Sequence, residues 1–299
     1  MIKLRGVIAP VVTTFGERDE ALDLEAFATN LRAYVAAGLS GVVVCGSTGE
    51  AALLDEAERR SLIEHARSEL PSDVLLIVGT GAESTRQCVQ RCHVANEHGA
   101  HAVLVVAPHY YASAMTPAAL EAHYLRVADE SPLPVLLYNI PKYMHFALEP
   151  DLVARLSSHE NIVAMKDSAG DLGRLAGYMQ SQRDDFTVLT GHGGSFYQAL
   201  ELGVRGGILA ISLFAAELTL EIYDTHRAGD REGSAESQKA ATPLAAEIVG
   251  RMGVAGVKAA LDRVGLRGGR VRAPLLPIGV EDSARVDALL RDARVTATV

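Results

Sequence analysis

Eight short runs of apolar, largely β-branched residues recur along the chain, each followed by a longer stretch with helical periodicity. They lie at Val7–Val12, Gly41–Cys45, Val74–Val78, Ala102–Val106, Val135–Tyr138, Ile162–Met165, Phe186–Leu189 and Gly207–Ile211. These runs are almost continuously apolar rather than alternating, the pattern of strands buried on both faces in a parallel sheet. Eight of them, spaced by roughly 20–35 residues with amphipathic segments between, predict a (β/α)8 TIM barrel. A doubly wound open sheet would carry a dinucleotide-binding fingerprint after its first strand. Thr13-Thr14-Phe15-Gly16 stands there instead.

The segments between the strands read as helices at Leu24–Ala37, Glu56–Leu70, Thr85–His98, Pro117–Glu130 and Asp151–Ser158. Asp23, Asp55, Ser84, Thr116 and Asp171 stand where side-chain caps are expected. Beyond the eighth strand, Ala215–Ala228, Gly233–Arg251 and Val254–Val264 read as further helices, followed by a proline-containing tail. No low-complexity linker separates the two regions. The expected organisation is an α/β barrel over residues 1–213 and a C-terminal helical extension over 214–299, packed on the barrel.

With 299 residues, 48% of them hydrophobic, the chain can bury one large core. The net charge of −9 and the lack of any basic run argue against nucleic acid or an anionic membrane as partner. No apolar stretch reaches membrane-spanning length, and Met1 to Glu20 has no basic segment followed by a long apolar one. A cytoplasmic location is expected. Cys45, Cys88 and Cys92 are too few and too unevenly placed for a disulfide framework. A metal site at Cys88, Cys92 and His93 would need ligands from elsewhere, so buried thiols and no metal are expected.

Catalytic groups in this architecture gather at the C-terminal ends of the strands. Strand two ends at Gly46-Ser47-Thr48-Gly49-Glu50, two hydroxyls in a glycine-bounded turn that can hold a carboxylate or phosphate. Strand four ends at Pro108-His109-Tyr110-Tyr111, strand five at Tyr138-Asn139-Ile140-Pro141, and strand seven at Thr190-Gly191-His192-Gly193-Gly194-Ser195. Strand six leads into Lys166, a lone cation after an apolar run. Burial penalises the charged form of such an amine, and a neutral amine attacks carbonyls. Each piece has an ordinary reading: a snorkelling lysine, a core tyrosine, turn glycines, and histidines bonded to backbone. Taken together, a nucleophilic lysine, a phenol and a hydroxyl clamp at one barrel mouth are the parts of Schiff-base carbonyl chemistry.

These motifs resemble the dihydrodipicolinate synthase/N-acetylneuraminate lyase family of pyruvate-dependent aldolases, from about Gly6 to the Arg272-Ala273-Pro274-Leu275 tail. The resemblance implies a barrel with a C-terminal helical extension, assembled as a homotetramer. It implies an imine between Lys166 and pyruvate, with no other cofactor, and an aldehyde as second partner. It further implies that Tyr138 shuttles protons and that Ser47 and Thr48 bind the pyruvate carboxylate. Tyr110 corresponds to a relay tyrosine given to a neighbouring subunit. Ile208 corresponds to a position whose backbone lies beside pyruvate, and Gly191 is expected to join the substrate-binding set.

One position departs from the pattern. Where the synthases place an arginine that grips the aldehyde's carboxylate, this chain has Tyr143, within Pro141-Lys142-Tyr143-Met144-His145. Losing a guanidinium fork is not conservative. Lys142 is adjacent, but neighbours in an extended segment point to opposite sides, so Tyr143 and His145 are expected to meet the substrate's tail. The motifs around Lys166, Lys258 and Arg272 resemble the 4-hydroxy-2-oxoglutarate and 2-keto-3-deoxy sugar acid aldolases, so a lyase on such an acid is expected. A dihydrodipicolinate synthase with a rearranged clamp and a 2-keto-3-deoxy acid dehydratase are the alternatives. A 2-oxo-acid-binding protein without turnover would not need Ser47, Thr48, Tyr110, Tyr138 and Lys166 together.

Overall fold

The apolar runs pair edge to edge in chain order and close on themselves. In the computed structural model, which describes residues 2–16 and 20–295, the strands are β1 (Gly6–Pro10), β2 (Gly41–Val44), β3 (Leu75–Gly79), β4 (Ala102–Val106), β5 (Val135–Asn139), β6 (Ile162–Asp167), β7 (Thr187–Thr190) and β8 (Gly206–Ile208). All pairings are parallel, and β1 joins β8 to complete the barrel. Their side chains are buried on both faces, as continuous apolar runs require.

Among the described residues, twelve α-helices surround and extend this barrel: α1 (Leu24–Ala36), α2 (Glu56–Glu69), α3 (Thr85–Glu97), α4 (Pro117–Glu130), α5 (Pro141–Met144), α6 (Pro150–Leu156), α7 (Leu172–Met179), α8 (Phe196–Glu201), α9 (Ala216–Ala228), α10 (Arg231–Pro243), α11 (Gly253–Arg263) and α12 (Val280–Asp292). All five expected caps form. Asp23, Asp55, Ser84, Thr116 and Asp171 each accept from a backbone N–H three residues on, and Asp55 with Glu58 makes a full capping box. Each is worth about 1 kcal/mol.

The structure departs from the periodicity in four places. Strand β6 runs two residues beyond Met165, through Lys166 and Asp167, because backbone pairing at a barrel mouth is indifferent to side-chain charge. Strand β8 stops at Ile208, and Ala210–Leu213 forms a tight 3₁₀ turn. The single helix expected over Gly233–Arg251 divides. Helix α10 ends at Pro243, whose ring nitrogen has no hydrogen to donate, and Leu244–Arg251 continues as a wider π-helical segment. The proline-containing tail holds one more helix, α12, after Pro274 and Pro277.

A part-buried polar contact joins two neighbouring helices of the outer ring. His123 on α4 places Nδ1 2.9 Å from the Thr85 hydroxyl at the start of α3. Burial holds its imidazole down at about 4, against 6.5 in an exposed histidine. As pH falls below 6.5 the unfolded chain takes up the proton first, so stability decreases between pH 6.5 and 4 and levels off below that. The full effect is about 3 kcal/mol. Urea unfolding followed from pH 7 to pH 4 is expected to show a shallower loss in His123→Gln than in the wild type; equal slopes would refute this.

Candidate active site

A cavity of about 310 Å³ opens where the strands end. Pro10, Tyr138, Lys166, Gly191 and Ile208 line it from the barrel, and Ser47 and Thr48 line it from the turn after β2. Its wall on the other side is apolar and comes from the extension: Ala245, Ala246, Val249 and Gly250 of the π-helical segment, with Gly253, Val254 and Val257.

Register brings the two central side chains together. Tyr138 on β5 pairs with Lys166 on β6, and one residue on Asn139 pairs with Asp167. Both Tyr138 and Lys166 are almost fully buried, with the Lys166 Nζ 4.3 Å from the centroid of the Tyr138 ring. The second pair locks the first. Asn139 donates its side-chain amide to Asp167 Oδ1 at 2.7 Å and accepts from the Leu148 N–H at 3.0 Å. Burial pushes the Asp167 carboxyl above the usual carboxylate range, opposed by the Asn139 bond.

Gly191 has a steric role. A Cβ there would stand 2.6 Å from Lys166 Cε and 2.0 Å from Ser168 Oγ, so the lysine stem occupies the space a side chain would need. The Gly191 N–H donates to the Asp167 carbonyl at 2.6 Å, which draws this turn against β6.

The turn bearing Ser47 and Thr48 is a short 3₁₀ helix followed by Glu50 in a left-handed conformation. Thr13 donates its hydroxyl to the Gly49 carbonyl at 2.7 Å, and a Cβ on Gly49 would come within 3.0 Å of the Val11 carbonyl. The Glu50 carboxylate is fully enclosed. One oxygen meets Lys258 Nζ on α11 at 2.5 Å and the other accepts the Arg272 backbone N–H at 2.8 Å. Lys258 also donates to the Arg270 carbonyl at 2.5 Å and lies 4.7 Å from the centre of the Phe15 ring. Burial pulls the Lys258 ammonium down from its ordinary range, with Glu50 acting against it. The hydroxyl turn is thus fastened to the extension through the barrel mouth.

Of the residues expected from the sequence, Lys166, Tyr138, Ser47, Thr48, Ile208, Gly191 and Tyr143 all line the cavity. Tyr110 does not. It is 78% exposed on the loop after β4, stacked edge-on against Tyr111, and Glu83 holds its N–H at 2.8 Å. His145 is exposed and does not line the cavity. The expectation for Lys142 also needs correcting. Residues 141–144 form a helical turn rather than an extended segment, so Lys142 and Tyr143 both reach the cavity. Desolvation, with Tyr138 nearby, pushes the Tyr143 phenol up.

His109 bonds to backbone, with Nδ1 3.0 Å from the Ala107 carbonyl, and it also approaches Glu83. His192 lines the cavity with Nδ1 2.8 Å from Ser195 Oγ, and burial lowers its affinity for a proton. Ser168, His192 and the extension's wall are site features that strand-end reasoning had not assigned. The thiols of Cys45, Cys88 and Cys92 are buried, and among the described residues no group of His, Cys, Asp or Glu could hold a metal ion. No described helix is long and apolar enough to cross a membrane.

The fold and cavity define a (β/α)8-barrel enzyme with a lysine amine and a phenol on neighbouring strands. The family model of the dihydrodipicolinate synthetase family matches residues 3–293. A 4-hydroxy-tetrahydrodipicolinate synthase of Xanthomonas axonopodis pv. citri is 36% identical over 98% of this chain and 95% of its own. A DapA-like lyase of Halobacterium salinarum is 36% identical over 97% of this chain and 94% of its own. Among solved structures, the dihydrodipicolinate synthase of Acinetobacter baumannii complexed with pyruvate superposes with a TM-score of 0.93 at 27% identity, covering 98% of this chain and 100% of the other. An E. coli K12 prophage protein in complex with pyruvate gives a TM-score of 0.92 at 27% identity, covering 97% and 99%. The chain belongs to the dihydrodipicolinate synthetase family and is a carbon–carbon lyase/aldolase of that family.

Two substitutions probe this site. Gly191→Ala is expected to keep the fold by circular dichroism yet lower kcat/KM by about 100-fold through displacement of the Lys166 stem; activity within a few-fold of wild type would contradict the steric reading. Glu50→Gln leaves a buried ammonium without its counter-charge and is expected to lower the unfolding free energy by about 3–5 kcal/mol. In denaturant titrations the double variant Glu50→Gln/Lys258→Met should lose less than the two single losses added together.

Proposed function

We propose that the protein makes or breaks a carbon–carbon bond beside a 2-oxo acid, pyruvate, held as an imine on Lys166. The observation carrying this reading is the buried Lys166 amine 4.3 Å from the Tyr138 ring, in a cavity also lined by Ser47 and Thr48. The Lys166 nitrogen attacks the ketone carbon, and loss of water leaves a protonated imine, which serves as the electron sink. Removal of a proton from the adjacent methyl gives an enamine. The enamine carbon adds to an aldehyde, and hydrolysis of the imine then releases the product; cleavage runs the same steps backwards. Tyr138 moves the proton on the forming or departing alkoxide, a task worth about 10²–10⁴-fold. The hydroxyls of Ser47 and Thr48 donate to the pyruvate carboxylate, Ile208 presents its backbone alongside, and Gly191 leaves the room. The two neighbours described as pyruvate complexes support this substrate.

The exposed Tyr110 fits a relay position in the site of a neighbouring copy, in a homotetramer of the kind the family resemblance implies. A cytoplasmic setting accords with this soluble-substrate chemistry. The covalent imine is the electron sink, and no separate cofactor is assigned.

For the aldehyde, the names of the relatives favour 4-hydroxy-tetrahydrodipicolinate synthase, and aspartate semialdehyde is then the partner to test. A second reading, a 4-hydroxy-2-oxo acid or 2-keto-3-deoxy acid aldolase, or a dehydratase on the same imine, is favoured by Tyr143 standing where a carboxylate-gripping arginine would be. Borohydride with pyruvate is expected to fix a mass adduct on Lys166 and none in Lys166→Ala; an unmodified wild-type lysine would end the proposal. Turnover with aspartate semialdehyde, set against pyruvate release from the two acid classes, separates the readings.

A further inference from the structure

We infer that Lys142 receives an anionic group, a carboxylate, on the second substrate. This inference rests on the imine reading above. The chain carries a net charge of −9, yet among the described residues lining the cavity there are two lysines and no carboxylate. A cleft of one sign in a molecule of the other concentrates anions. Once Lys166 is committed to the imine and Ser47 and Thr48 to the first carboxylate, Lys142 is the remaining lining cation. The extension's wall is alanine, valine and glycine, without a charged side chain; Tyr143, Ser168 and His192 supply further polar groups, and burial lowers the proton affinity of His192.

Its placement is defined. Lys142 sits on the turn α5, and its Nζ donates to the Gly250 carbonyl at 2.7 Å, near the end of the π-helical segment. One of its three N–H groups is therefore engaged, which anchors the flexible stem and leaves two donors for a ligand. Nζ also lies 5.6 Å from the Tyr143 ring centre, so the phenol and the ammonium border the same part of the cavity. The ammonium replaces a bidentate fork by a point charge on another residue of the same turn.

A purely structural role is the competing account, since lysines often bond the last carbonyls of a helix. The two differ in substrate dependence. Condensation with pyruvate is measured with a carboxylate-bearing aldehyde (aspartate semialdehyde and glyoxylate), a neutral one (glyceraldehyde) and a phosphorylated one (glyceraldehyde 3-phosphate). Lys142→Met is expected to lower kcat/KM for the carboxylate aldehydes by about tenfold or more, chiefly through KM, with at most a twofold change for the neutral one. Lys142→Arg should restore much of the loss. In the wild type, KM for the carboxylate aldehydes should rise with ionic strength while that for glyceraldehyde stays level, a reading that needs no variant. Equal losses on charged and neutral aldehydes, no loss on either, or a preference for the phosphorylated aldehyde would overturn the inference. Absence of pyruvate trapping on wild-type Lys166 would instead overturn the reading beneath it.

Discussion

The ion pair between Glu50 and Lys258 is the contact on which the site's architecture turns. Both side chains are cut off from water, and neither charge is tolerable there without the other. Glu50 directly follows the hydroxyl turn of β2, whereas Lys258 and Arg272 come from sequence more than two hundred residues later. A hydrophobic contact would tolerate sliding between these parts; a pair of enclosed charges with a backbone N–H as third partner does not. The barrel mouth and the extension are therefore registered against each other at the turn that carries Ser47 and Thr48. The Arg272 guanidinium adds a second tie, reaching both oxygens of Glu58 on α2 at 2.7 and 2.6 Å.

A different logic positions the amine and the phenol. They need no charge pairing, because parallel register on adjacent strands sets their separation and the Asn139–Asp167 bond one residue further on resists slippage. The absence of a side chain at Gly191 completes the arrangement. The cavity thus combines an amine and a phenol carried by the sheet, a hydroxyl turn held by buried electrostatics, and a far wall of small apolar residues. Rigid strands suit the reaction step, which depends on sub-ångström placement.

Much of this was legible in the sequence. All eight strands, the closed barrel and the five caps followed from apolar continuity and cap chemistry, since both are local properties of the chain. Lys166, Tyr138, Ser47, Thr48 and Gly191 could be gathered from the rule that strands end at the site. What escaped has a physical reason in each case. Residues 141–144 fold as a helical turn because Pro141 sits comfortably at its start, and that rotates Lys142 into the cavity. The π-helical widening depends on how Leu244–Arg251 packs against the barrel, which periodicity does not register. The role of Lys258 was hidden because its partner lies so far away in sequence. Tyr110 lies on the exposed loop after β4, outside this chain's cavity, where the strand-end rule alone did not separate it from the lining residues.

The wider turn at Leu244–Arg251 gives the cavity two walls of unlike origin. Tyr138 and Lys166 on the strand side share hydrogen-bonded register, so a change in one disturbs its neighbours. Ala245, Ala246 and Val249 project from a helical surface outside that sheet. Their side chains set the volume and polarity of that side of the cavity without carrying any strand pairing. In a chain built this way, ordinary substitutions on one helical face can reshape one wall while the strand-borne side chains opposite keep their register.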